Sequence, residues 1–222
     1  MKLSVNDSLG RGLDKQSMTT GRWSEVTATT VAAVNRAVPL TARKHSRRAF
    51  LRRMQKAVRA AVPAELLLWD GIVGTGKNAK YTCFAMISTT KPRPGFTVTI
   101  STWRSRTFDL ERSGELPILL TEHFIARVFQ RTNSTSLADP RCRALMWQLV
   151  DWLLSLMAES PVAATGLDMR TTSGDLALFD IARFQQTGQL FYIGKTFIGR
   201  DYLRPGRTKL QPGTCGWYVA AE

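Results

Sequence analysis

The sequence predicts an α+β fold, and three observations carry that expectation. An apolar stripe of helical period runs through residues 41–61, two-residue alternation replaces it after Pro63, and helical spacing returns between Thr121 and Glu159 before a last alternating hairpin. The expected layout is therefore N-terminal helices including one basic amphipathic helix, an antiparallel meander, two further helices and a C-terminal hairpin. No internal repeat interrupts this order.

Taken in turn, residues 1–21 are rich in Ser, Thr, Gly and charge and show little apolar periodicity, so they read as a flexible arm. From Ser24, a possible cap, Val26, Val31, Val34 and Val38 recur at mixed helical spacing until Pro39, with Thr27, Thr29 and Thr30 opposing the helix. Thr41 to Ala61 reads as a helix: Phe50, Met54, Ala57 and Ala61, flanked by Leu51 and Val58, form one apolar stripe. Pro63 ends that helix. Residues 65–73 (ELLLWDGIV) read as a strand, 74–78 as a glycine turn, 81–88 (YTCFAMIS) as the returning strand, and 96–103 (FTVTISTW) as the third. Helices are expected from about Thr121 to Arg131 and from Asp139 to Glu159, the second opened by Asp139-Pro140. Leu176–Phe184 and Leu190–Ile198 complete a hairpin. The composition suggests three segments: an arm (1–21), a basic helical segment (22–62) and an α+β domain (63–222).

A chain of 222 residues with 44% hydrophobic and 22% charged side chains can bury a core without disulfides. Collagen-like, disulfide-framework and multi-span membrane classes are excluded. The net charge of +14 is uneven: residues 1–64 carry 13 basic and 3 acidic side chains, whereas residues 65–222 carry 18 and 14. Such excess favours an anionic partner, nucleic acid first. Cys83, Cys142 and Cys215 form no Cys-x-x-Cys pair, so buried, reduced thiols are expected. Met1–Asp7 offers no signal-peptide core, and the apolar stretch 144–158 is too short and polar to span a bilayer. The expectation is a cytoplasmic protein with no stable membrane insertion.

Gly71–Asn78 (GIVGTGKN) has the spacing of a phosphate-binding P-loop, but Asn78 stands where Ser or Thr must hold magnesium, and a strand pattern follows instead of a helix. Nucleotide hydrolysis is rejected. With only His45 and His123, a His-based metal site lacks ligands, and Asp168, Asp175 and Asp180 are spread through an expected loop and strand. No metal or cofactor is expected. The basic helix offers Arg43, Lys44, Arg47, Arg48, Arg52, Arg53, Lys56 and Arg59 to phosphates, with RNA favoured over DNA. An anionic membrane or an acidic partner, such as an antitoxin protein, could use the same face. Most of the six tryptophans sit in apolar patterns, Trp103 beside Arg104 and Arg106 being the best exception for base stacking.

His123, Arg127 and Arg131 fall at i, i+4 and i+8 and form one polar stripe on a helix, with Phe124, Ile125, Val128 and Phe129 facing the core. An imidazole beside two permanent cations suits RNA cleavage without metal: one group moves protons, the guanidiniums stabilise added negative charge. This His-x-x-x-Arg-x-x-x-Arg helix resembles that of the bacterial ribonuclease toxin superfamily that includes RelE, EndoU and barnase, over residues 119–203. Members associated with phages and toxins follow the helix with a late strand whose Thr or Ser contacts substrate; here Lys195-Thr196 matches that position. The chain departs from the pattern in the long helix that intervenes and the three strands that precede. The resemblance implies a toxin-type ribonuclease in which His123 is acid or base, Arg127 and Arg131 hold the phosphate, and Thr196 with Lys195 orients it. Two alternatives stay open: a non-catalytic nucleic-acid-binding protein, and a phage- or virus-type protein that binds an acidic partner.

Overall fold

The computed structural model describes residues 47–89, 95–104, 110–134, 136, 138–159, 163–183, 188, 190–203 and 210–218. Helices α1 (Arg47–Ala61), α2 (Glu122–Thr132) and α3 (Pro140–Leu156) accompany eight strands, β1 (Leu67–Val73), β2 (Lys80–Thr89), β3 (Gly95–Arg104), β4 (Leu110–Thr121), β5 (Gly166–Arg170), β6 (Leu176–Arg183), β7 (Leu190–Ile198) and β8 (Thr214–Tyr218). The strands are hydrogen-bonded in the order β1-β2-β3-β4-β7-β6-β5-β8. The α+β class therefore holds. The expected arm (1–21) and the Ser24–Val38 helix lie outside the described residues, as do Arg43 and Lys44. No helix among the described residues is long and apolar enough to cross a membrane.

The chain divides into two compact units. In the unit of residues 15–88 and 98–116, α1 forms because Arg, Ala, Leu, Met, Gln and Lys all favour helix and neither Gly nor Pro intrudes. Its stripe is buried: Phe50, Leu51, Met54, Ala57 and Val58 pack against Leu66, Leu67, Tyr81, Cys83, Ala85 and Trp103. Burial of each large apolar side chain contributes about 1.5–3 kcal/mol, so α1 belongs to this core, and the charge break at Pro63 falls inside the unit. Trp103, 2% exposed and stacked on Tyr81 at 5.6 Å between ring centroids, is unable to stack on a base. β1 and β2 pair antiparallel around a turn in which Gly74 and Gly76 take positive φ, and the lysine of the P-loop-like motif leads into strand β2.

The unit of residues 1–14, 89–97 and 117–222 contains α2, α3 and β5–β8. Asp139 caps α3 by accepting from the Arg141 and Cys142 amides, with proline at the first helical position. The expected β6–β7 hairpin is present and antiparallel. Three strands were not expected from sequence. β4 contains Gly114 and Pro117, which weaken a strand pattern, yet its end, Ile118-Leu119-Leu120, is buried and pairs parallel with β7. β5 (GLDMR) and β8 (TCGWY) are short and Gly-containing, and they pair with each other through contacts far apart in sequence. Asp168 consequently lies in a strand rather than a loop, and desolvation raises its carboxyl above the usual range.

Candidate functional site around His123

The site follows from one parallel pairing. Leu120 of β4 stands opposite Gly194 of β7, and β4 passes into α2 at Thr121, so the helix starts beside residues 195–196. Thr121 secures that start twice: its hydroxyl accepts from the Phe124 amide (3.2 Å) and donates to the Gly194 carbonyl (2.8 Å). Gly194 allows the approach, since a Cβ there would sit 3.0 Å from the Phe124 ring and 3.2 Å from Leu120. Phe124 is fully buried against Phe179 and Phe197. Packing at Phe124 thus fixes the neighbouring His123.

His123 is exposed, and its Nε2 lies 3.5 Å from the Thr196 hydroxyl, a contact between residues 73 apart in sequence. This is the long limit of a hydrogen bond, and a separation at which one oxyanion can touch both groups. Thr196 follows a bulge in β7. Leu178 pairs with Thr196 and Phe179 with Gly194, which leaves Lys195 without a partner on β6. The Lys195 ammonium is engaged by Asp180 at 3.1 Å, a half-exposed ion pair worth little in stability.

Arg127 and Arg131 continue along the same helix from His123, both partly exposed. Arg127 donates from Nη1 to Gln130 at 2.7 Å. Arg131 is held more firmly: its guanidinium carbon lies 4.0 Å from the centre of the Tyr202 ring. Gly199 provides the channel, because a Cβ there would come within 2.9 Å of Arg131 Cδ and 3.1 Å of Nε. That Nε is buried without an acceptor, a condition that costs about 1–3 kcal/mol and leaves donation to the two Nη groups.

Thr121, Gly194, Gly199 and Tyr202 were missed in the sequence. The Thr before Glu122 is a readable cap signal, but nothing local marks Gly199 or Tyr202 as partners of Arg131. On α1, Arg47 and Arg48 open the helix, and Arg52, Arg53 and Lys56 are exposed. Arg59, one of the side chains expected to meet phosphates, is 58% exposed and donates from Nε to Asp70 at 3.0 Å. Among the described residues no group of three His, Cys, Asp or Glu side chains is placed to hold a metal ion.

Comparison of the chain with family models, with curated proteins and with solved structures gives no match.

Proposed function

We propose that the chain is an RNA-directed protein that cleaves its substrate without metal at the His123 site. The observation that supports this most is the 3.5 Å approach of His123 Nε2 to Thr196 Oγ1, with Arg127 and Arg131 along the same helix. In the reaction, His123 takes the proton from a ribose 2′-hydroxyl as that oxygen attacks the adjacent phosphorus. The bond to the 5′-oxygen breaks, and water protonates the leaving group. Thr196 donates to a non-bridging oxygen, and Arg127, one turn along the helix from His123, offsets the charge that accumulates on the pentavalent phosphorus, while Arg131, two turns along, meets the adjoining part of the strand. The products are a 2′,3′-cyclic phosphate and a 5′-hydroxyl.

The test uses the full chain and single-stranded RNA in excess EDTA. Cleavage to cyclic-phosphate ends is expected, and His123→Ala should lower the rate by about 10²–10⁴-fold while RNA binding persists. Cleavage that requires added metal, or that survives His123→Ala, removes the proposal.

A second, non-catalytic reading draws on the exposed Arg52, Arg53 and Lys56 of α1. It expects nucleic-acid binding whose affinity falls steeply with salt, with no cleavage under any condition.

A further inference from the structure

We infer that Tyr202 is a stacking platform for a nucleobase next to the scissile phosphate, and that it makes the site selective for single-stranded RNA. The inference rests on the RNA-directed reading of the His123 site and names the form of substrate it takes.

A single exposed tyrosine is ordinary on a protein surface. Tyr202 differs in how it is held. One face of its ring is covered by the Arg131 guanidinium at 4.0 Å, yet the residue is 65% exposed, which leaves the opposite face and the hydroxyl edge open. The backbone beneath it is pinned. The Tyr202 amide donates to the Gly199 carbonyl at 2.9 Å, the Leu203 amide to Arg200 at 3.1 Å, and the Arg200 amide to the Asp175 carboxylate at 3.0 Å. A ring fixed from below and behind loses little freedom when a flat partner settles on its open face, which lowers the cost of binding.

The partner that fits is a nucleobase. Every base has a π-face, so aromatic stacking is tolerant of sequence, and an arginine on the far side of the ring adds to it. Arg131 lies eight residues along α2 from His123, about 12 Å at the helical rise, a distance that an extended dinucleotide can bridge. A phosphate at His123 and Thr196 can therefore belong to the same strand as a base on Tyr202. Bases inside a duplex are paired and stacked on each other and have no free face to offer, so duplex RNA is excluded.

The experiment titrates the full chain into a 2′-O-methyl oligoribonucleotide that carries one 2-aminopurine, whose methyl groups block cleavage. Binding is read by fluorescence quenching on stacking. The single strand should quench and the same sequence in a hairpin stem should not. Tyr202→Phe should behave as wild type, Tyr202→Leu should weaken single-strand binding at least about fivefold and abolish the quench. Gly199→Ala, which pushes Arg131 aside, should reduce both. Circular dichroism checks that each variant is folded. Unchanged quenching in Tyr202→Leu, or equal binding of single strand and stem by wild type, overturns the platform. Cleavage of the unmethylated strand in EDTA is measured beside it. Cleavage with an indifferent Tyr202→Leu sinks the platform alone, whereas quenching without cleavage sinks the catalytic reading alone.

Discussion

Around Asp70 three side-chain donors converge on one carboxylate. The carboxylate, 9% exposed, accepts from Gln55 Nε2 at 2.8 Å, from Arg59 Nε at 3.0 Å and from the Tyr81 hydroxyl at 3.3 Å, which ties α1 to β1 and β2. Around His123 the partners are looser and more exposed, although Arg127 meets Gln130 and Lys195 meets Asp180. His123 and Thr196 touch at a long 3.5 Å, Arg131 Nε has no acceptor, and Tyr202 stands out into solvent. Both clusters contain an arginine and a tyrosine, so residue type does not separate them. What separates them is satisfaction: a closed set of donors and acceptors holds a fold together, whereas an open set is free to meet a ligand. Arg59, one of the basic side chains of α1, takes part in the closed set through its Nε and keeps 58% of its surface exposed.

The largest effect on folding is expected from Asp70→Ala. It leaves the Gln55, Arg59 and Tyr81 donors without their acceptor in a largely buried place, and should cost about 3 kcal/mol in urea unfolding. Arg59→Ala should cost only about 1 kcal/mol, because Arg59 is 58% exposed and the carboxylate keeps two donors. His123→Ala, at an exposed and loosely bonded position, should leave unfolding unchanged. If Asp70→Ala proved neutral, or His123→Ala destabilised the chain as much, the contrast between closed and open clusters would be wrong.

Gly194→Ala is the next test, because it acts on the support of the open cluster. The added Cβ meets the Phe124 ring at 3.0 Å within a filled core and should cost about 1–3 kcal/mol. As it lifts α2 from β7, it should also lower the proposed RNA cleavage more than the stability loss alone explains. A stability loss with undiminished turnover would show that the His123 to Thr196 spacing is unimportant.

Local patterns in the sequence revealed the parts of this molecule that are themselves local. The stripe of Phe50, Met54 and Ala57, the cap at Asp139, the β6–β7 hairpin and the polar row His123, Arg127, Arg131 all follow from neighbours within a few turns or one hairpin. β4 was hidden because Gly114 and Pro117 argue against a strand, and only its pairing with β7 outweighs them. β5 and β8 are five residues each, and their partner strands supply what their own composition lacks. The same holds for the sites. Thr196 is suggested only by resemblance to the late strand of other proteins, while Tyr202 and Gly199 gain meaning only once β7 has brought them to Arg131. Asp70 as the acceptor for Arg59 was equally invisible, since eleven residues and a helix-to-strand turn separate them.

The loss of a single thiol's share of alkaline stability is an effect on the scale of Arg59→Ala, and it shows how the closed cluster reaches a thiol. Cys83 stands opposite Asp70 in the β1–β2 register, and its thiol is pushed up to about 12, first by burial and then by the Asp70 charge. Cys142 and Cys215 are pushed up to about 11, chiefly by burial. A thiol whose folded pKa lies above its unfolded value contributes fully below the unfolded pKa of about 8.5 and loses that contribution as pH rises toward the folded value. Between pH 8 and pH 10 the chain should therefore lose on the order of 1 kcal/mol per buried thiol. Cys83→Ala should flatten this fall by about one such share. Equal slopes in wild type and Cys83→Ala would mean that the thiol opens to solvent before it ionises, and that the core beneath α1 is looser than its burial indicates.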